Sequence, residues 1–282
     1  MKTIATKKEL ISLLDTEREL GKSIGLVPTM GALHEGHLSL VKEAVKRYDI
    51  CVVSIFVNPK QFNNPQDLIT YPRQPEQDIA LLEKAGCHYL FMPTEEEVYE
   101  EGAVEKVFHF GSIANVMEGV QRPGHFEGVA LIVSKLFELV RPHGAFFGEK
   151  DYQQIAIIRS MVQQCAFDLD IIAMPIVRES TGLALSSRNQ RLTEETRPYA
   201  PMIYQKLRES LDWKKGGKTP REIEQKVTEE LNAHPCLDVE YYMIVDATTL
   251  QPITSWSDAP ATIGCIACYC GEVRLIDNIS YP

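Results

Sequence analysis

His34 and His37 stand three residues apart in the segment 26–41, LVPTMGALHEGHLSLV. An imidazole can donate a hydrogen bond whether neutral or protonated, so a pair of them suits negative charge gathering on phosphate oxygens near neutral pH. Displacement at the α-phosphate of a nucleotide gathers such charge, and each preorganised N–H aimed at it stabilises the transition state by roughly 3 kcal/mol. The flanking residues predict an anion site at the same place. Leu26 and Val27 close an apolar run, and Pro28, which has no N–H for a ladder, is expected to mark the strand's end. Thr29, Met30 and Gly31 form a turn. Leu38, Leu40, Val41, Ala44 and Val45 then recur at helical spacing, which places the N–H groups of a helix start beside the histidines. Gly36 lets a ligand approach the backbone. The competing reading is two surface histidines on an ordinary helix cap. A zinc site of the H-E-x-x-H kind fails on the E-G-H order.

Three further segments carry polar groups suited to the same work. In GEKDYQQ, 148–154, a strand end and a glycine lead into a helix. Lys150 there offers a full charge to phosphate, and Asp151 and Gln154 suit a hydroxylated carboxylic acid; the alternative is a charged helix cap. Leu185, Ser186, Ser187, Arg188 and Asn189 combine hydroxyls with a cation, and Gly182 before them supplies flexibility. That set either holds pyrophosphate oxygens or links two domains. Gln61, Phe62 and Tyr71 lie in a long loop and read either as recognition of a small polar, branched substrate or as loop packing. His125 reads either as a donor to that substrate or as a structural histidine.

The elements that must position these groups follow from apolar spacing. Helices are expected over 7–20, 38–48, 75–85 and 128–140, with one of about fifteen residues after 150. Strands are expected over 24–27, 50–57, 88–92, 107–110, 145–147 and 169–177. Residues 58–75 read as a long polar loop, 93–104 as acidic solvated surface, and 121–129 as a Gly/Pro loop carrying His125. Alternating β and α elements give an α/β fold with a doubly wound, Rossmann-like parallel sheet, whose ligands bind beyond the strands' carboxyl ends. After Val177 the texture changes to helices over 193–211 and 220–233, then strands near 239–246, 261–270 and 271–277. The expected domains are therefore 1–176, binding nucleotide and a small acid, and 177–282, a smaller α+β lid.

The chain has 282 residues and a formal charge of −10, which argues against a general nucleic-acid surface. Seven scattered cysteines fit reduced thiols rather than a disulfide framework. Cys265, Cys268 and Cys270 lie in a β-like run without a second pair to complete four metal ligands. No signal peptide or membrane span is expected, and the predicted location is cytoplasmic.

The H-x-G-H element and the 185–189 segment resemble the nucleotidyltransferase and class I aminoacyl-tRNA synthetase superfamily, the latter segment resembling its mobile K-M-S-K-S loop. PTMGALHEGHLSLV, SIFVNPKQF, YPR, RPGHFEGV, FFGEKDYQQ and LSSRN together resemble the pantoate–β-alanine ligase (pantothenate synthetase) family over residues 24–191. Leu185 departs from the methionine common there, a swap that conserves volume. The resemblance implies ATP-dependent ligation: pantoate attacks the α-phosphate with Mg²⁺ present, and β-alanine then attacks the pantoyl adenylate, releasing AMP. It implies that Met30, Gly31, Ala32, Leu33, His34, Glu35, Gly36 and His37 bind ATP, with His37 as catalytic donor and His34 beside it. Gly148, Glu149, Lys150 and Asp151 would hold nucleotide, Lys150 acting on phosphate. Val177 would touch adenine through its backbone, and Leu185, Ser186, Ser187 and Arg188 would close on the phosphates. Gln61 would meet pantoate and β-alanine, and Gln154 pantoate; Asn58 and His125 rank second. Asp78 would support Mg²⁺, which would ride mainly on phosphates and water and whose protein ligands are otherwise unknown. A homodimer is implied, with no nucleic-acid partner and no membrane association. The rival activity is a nucleotidyltransferase acting on a phosphorylated acceptor.

Overall fold

The computed structural model describes residues 1–100, 102 and 104–282. Glu101 and Ala103, within the stretch expected to be acidic surface, lie outside the described residues. In chain order the elements are β1 (Lys2–Ile4), α1 (Lys7–Glu19), β2 (Ile24–Thr29), α2 (Glu35–Arg47), β3 (Ile50–Ile55), α3 (Pro65–Thr70), α4 (Pro75–Lys84), β4 (Tyr89–Phe91), α5 (Glu95–Val98), α6 (Met117–Gln121), α7 (His125–Val140), β5 (Gly144–Gly148), α8 (Tyr152–Cys165), β6 (Asp170–Met174), α9 (Pro201–Lys215), α10 (Pro220–Asn232), β7 (Leu237–Asp246), β8 (Thr262–Cys270) and β9 (Val273–Tyr281). They form two compact units. The first holds Met1–Phe110, Arg122–Glu149 and Gln154–Pro175; the second holds Gly111–Gln121, Lys150–Gln153 and Ile176–Pro282.

The first unit is built on a six-stranded parallel sheet in the order β1-β4-β3-β2-β5-β6. The chain winds outward from β2 through β3 and β4, then returns to β5 on β2's other side. Strand order thus reverses between β2 and β5, and ligand sites of open α/β sheets lie beyond the carboxyl ends at such a point. Those ends carry Thr29 and Gly148. The central strands are β-branched and buried, as a sheet covered on both faces demands. Val27, Val41, Ala44, Val53, Leu82, Leu90 and Phe146 close one core cluster. Helix α7 buries residues nearly all round, from His125 to Val140.

Several boundaries differ from the sequence expectation, each for a physical reason. Strand β2 runs through Pro28 to Thr29. Ser23 and Thr29 turn their carbonyls toward β3, where Ile50 and Phe56 donate, whereas Ile24 turns its carbonyl toward His143 on the β5 side. By alternation Pro28 also faces the β5 side, where pairing has already ended at Leu26, so its missing N–H removes no ladder bond. Residues 107–110 form no strand. The Gln164 side chain takes that neighbour's place: its Oε1 accepts from the His109 N–H at 3.1 Å and its Nε2 donates to the His109 carbonyl at 3.0 Å. Phe108 and Phe110 stack in buried positions beside it. His125 opens α7 rather than sitting in a loop. The long loop after β3 contains a helix, α3, capped by Asn64. Helix α9 starts at Pro201, which suits a first helical position because no N–H is needed there. Strand β1 forms the sheet's edge, pairing with β4, although its three residues carry no periodic signal.

The second unit packs α9 and α10 against an antiparallel sheet in the order β7-β8-β9. Leu207, Ile223, Val227, Leu231, Ile244 and Ile266 are among its fully buried core residues. Helix α6 joins it through Glu118, whose carboxylate accepts from Arg274 Nη1 at 2.9 Å, Arg274 Nη2 at 2.6 Å and the Tyr241 hydroxyl at 2.8 Å. Burial pushes the Cys265 and Cys268 thiols up to about 12 and Cys270 to about 11. Protonated, they pack as small apolar groups.

Candidate active site

The histidine loop leaves the carboxyl end of β2. Thr29 shapes its first bond, donating from Oγ1 to the Ser54 carbonyl at 2.8 Å and accepting from the Gly31 N–H at 3.2 Å. Ala32 then takes a left-handed φ of 49°, which costs a non-glycine residue about 1 kcal/mol. The buried carboxylate of Asp78, from the first turn of α4, holds that shape. Its Oδ2 accepts from the Ala32 N–H at 2.9 Å and its Oδ1 from the Leu33 N–H at 2.7 Å. Burial raises the Asp78 pKa, and the two N–H donors oppose that rise. Asp78 thus serves as the loop's anchor.

His34 caps α2 and His37 lies at its third position. His34 Nδ1 accepts from the Gly36 N–H at 3.2 Å, and His37 Nδ1 accepts from the His34 N–H at 3.4 Å. The pair forms a capping box in imidazoles. Because each Nδ1 accepts, the neutral rings carry their proton on Nε2. The ring centroids lie 4.1 Å apart, close enough for both Nε2–H groups to address one anion at the positive end of the α2 dipole.

Beyond β3 the chain turns through a short 3-10 helix, Pro59–Gln61, capped by Asn58. Asn58 is buried and fully engaged. Its Nδ2 donates to Gln61 Oε1 at 3.2 Å and to the Gly128 carbonyl at 3.0 Å, and its Oδ1 accepts from the Tyr99 hydroxyl at 2.7 Å. Gln61 Nε2 reaches Met30 Sδ at 2.8 Å, so two segments expected to share a site do meet. His125 sits behind them. Its Nε2 contacts Arg122 Nη1 at 3.1 Å, where only the guanidinium can donate, so Nδ1 carries the proton and donates to the Gln61 carbonyl at 2.7 Å. His125 thus supports the Gln61 backbone. A Cβ on Gly128 would lie 2.2 Å from the Lys60 carbonyl oxygen, so only glycine lets α7 and this turn approach so closely. Phe62 and Tyr71 pack edge to face at 5.7 Å. Gly148 ends β5 with open space where a Cβ would stand, and Glu149 follows it. Gln154 is half-buried on α8, whereas neighbouring Gln153 is spent on the carbonyls of Ile113 and Val116.

The second unit assembles the other set. Residues 177–185 form a tight antiparallel turn in which the Leu185 N–H donates to the Val177 carbonyl at 3.0 Å. Val177 and Leu185 are therefore neighbours. Gly182 closes the turn at φ 94°, and a Cβ there would lie 2.8 Å from Tyr204. The glycine serves a fixed geometry, not the flexibility expected of it. Ser186 caps the following 3-10 helix, Ser187–Arg191, accepting from the Arg188 N–H at 3.3 Å. Lys150, only 15% exposed in its side chain, lies 3.6 Å from Asp151. It lines a small cavity with Ser186 and Asn189.

The sequence profile of the family described as Pantoate-beta-alanine ligase matches residues 2–280. The chain belongs to the pantoate–β-alanine ligase family. It is similar to the pantothenate synthetase of Porphyromonas gingivalis strain ATCC 33277, at 56% identity over 279 residues, 99% of this chain and 98% of that one. Its fold matches the crystal structure of pantothenate synthetase from Thermus thermophilus with a TM-score of 0.93 and 43% identity, covering 100% of both chains. It also matches the pantoate-beta-alanine ligase of Francisella tularensis, complexed with beta-gamma ATP and beta-alanine, with a TM-score of 0.84 and 36% identity, covering 99% of this chain and 97% of that one. The chain is thus a ligase, as the six motifs implied, and the family extends through the C-terminal third that carried no recognisable motif. Among the described residues of the ligase, no three His, Cys, Asp or Glu side chains gather as a metal site, and no helix is long and apolar enough to cross a membrane. Asp78, each of whose oxygens already accepts a backbone N–H, offers no octahedral donor set for magnesium by itself.

Sequence reasoning missed Asp78 as loop anchor, Tyr99 as support for Asn58, and the Arg178–Asp277 pair described below. Asp78 carried one signal, an acidic residue in a helix's first turn, which points only to that helix's own dipole.

Proposed function

We propose that the ligase joins pantoate to β-alanine through a pantoyl adenylate. ATP would bind over Met30–His37 and Gly148–Asp151, with Val177 on adenine and Leu185–Arg188 on the phosphates. Magnesium would arrive as part of the MgATP substrate, held by phosphates and water. His37 and His34 would donate from Nε2 to the α-phosphate oxygens as the pantoate carboxylate attacks, and Lys150 would stabilise charge on the departing pyrophosphate. Gln61 and Gln154 would hold pantoate, and Gln61 would then meet β-alanine. The amine displaces AMP from the acyl carbon, so no covalent enzyme intermediate is needed, and shelter from water protects the adenylate.

The observation that carries this reading is the pair of imidazoles fixed by backbone N–H groups so that both Nε2 atoms bear protons at a helix start. A test follows the products one substrate at a time. Pyrophosphate should form from ATP and pantoate alone, up to one equivalent per site, and AMP should appear only when β-alanine is added. Pyrophosphate that waits for β-alanine would point to a concerted route instead. We further propose residues 1–176 as the nucleotide- and pantoate-binding domain and 177–282 as the lid-bearing domain, a cytoplasmic location and a homodimer; sedimentation at micromolar protein tests the last.

A further inference from the structure

Arg178 lies on the outgoing arm of the 177–185 turn. Its Nη1 and Nη2 donate to Asp277 Oδ2 and Oδ1 at 2.6 and 2.8 Å, a fork that fixes direction as well as charge. Nη1 also donates to the Gly182 carbonyl at 3.1 Å, at the tip of the turn, and the guanidinium stacks 3.5 Å over Tyr204. On its other side Asp277 accepts from the Asn278 N–H at 2.8 Å, and Asn278 Nδ2 donates to the Lys150 carbonyl at 3.2 Å. Asn189 fastens the returning arm, donating from Nδ2 to the Ala184 carbonyl at 3.0 Å. Its buried Oδ1 has no protein partner. Asn189, Ser186, Asp277 and Lys150 line the same cavity of about 10 Å³, room for one water that would donate to that oxygen.

A buried ion pair is a poor way to stabilise a fold, because well-packed apolar residues often do as well. What it gives is orientation: the pair ties the turn that leads into Ser186–Arg188 to β9, and Asn278 ties β9 to Lys150, the two groups read above as phosphate ligands.

We propose that Arg178 and Asp277, with Asn278, form a positioning device for the adenylating half-reaction, setting Lys150 and the Ser186–Arg188 turn at a fixed separation so that both meet the same phosphates. None of the three touches substrate. The inference rests on the phosphate reading of Lys150 and residues 186–188.

The test uses the full chain and pantoate-dependent exchange of labelled pyrophosphate into ATP without β-alanine, a multiple-turnover assay that gives kcat and KM for the adenylating step. Asn278→Ala keeps both members of the ion pair and the backbone N–H on Asp277, and removes the side-chain bond to Lys150. It should lower kcat by about fivefold with the KM for pantoate unchanged, and in a Lys150→Ala background it should cost less than about twofold, because no ammonium remains to be placed. Asp277→Asn should lower kcat by about tenfold or more on a chain that still melts cooperatively; if it does not fold, the Asn278 cycle decides alone. An unchanged kcat in Asn278→Ala, or a penalty carried over in full to Lys150→Ala, overturns the positioning role while leaving the phosphate reading intact. A Lys150→Ala protein with the parent's kcat instead overturns the phosphate reading, and the positioning role with it.

Discussion

His37 and Asp78 act on the same loop in different ways, and substitution separates them. His37→Ala removes a donor that matters most in the transition state, so kcat should fall by roughly 10² or more; a change confined to KM would contradict the role. Asp78→Ala removes the acceptor of two buried N–H groups. Stability should fall by about 3 kcal/mol, as for charge-assisted hydrogen bonds left unmade, and ATP affinity should fall with it. Denaturant titration and ATP binding by calorimetry check both effects, and normal ATP affinity in a folded Asp78→Ala chain would show that the loop keeps its shape unaided. The two histidines were legible in the sequence because spacing, glycine and flanking apolar residues converge on one stretch. Asp78 was not, because its partners are backbone N–H groups of Ala32 and Leu33, more than forty residues away in the chain, and such bonds leave no pattern in side-chain identity.

At the level of elements, the strands and helices with strong periodicity emerged where the sequence places them, and the failures share a cause. Residues 107–110 alternate like a strand, yet one glutamine side chain satisfies the backbone that a neighbouring strand would have paired. Gln164→Leu should therefore raise amide exchange at His109 at least about tenfold while global stability falls by only about 1 kcal/mol; unchanged protection would show that the stacked phenylalanines alone hold the segment. The seam between β3 and β4 supplies a second prediction. His88 Nδ1 accepts from the Cys51 N–H at 3.0 Å, and burial holds its pKa below the ordinary histidine value. The unfolded chain takes up a proton from about pH 6.5 downward. The folded chain does so only at lower pH, so stability falls as pH drops below about 6.5. His88→Asn, which keeps an acceptor but does not titrate, should flatten the stability difference between about pH 7.5 and pH 5.5. An equal slope in both proteins would assign the acid sensitivity elsewhere.

For the whole molecule, the parallel sheet explains why chemistry gathers where it does: the strand order reverses between β2 and β5, and the carboxyl ends of those two strands lead directly into the histidine loop and into Gly148-Glu149. In the second unit the tight turn at 177–185 and the buried Arg178–Asp277 pair are set by long-range packing rather than by motif, which is why the helices and strands there could be read from the sequence and that pair could not. The central claim is that neutral imidazoles at the α2 start stabilise adenylation. Pantoate-dependent exchange of labelled pyrophosphate into ATP, without β-alanine, measures that step alone. The parent should exchange readily and His37→Ala should exchange roughly 10²-fold more slowly; exchange at the parent's rate in His37→Ala, or none in the parent until β-alanine is added, would contradict the account.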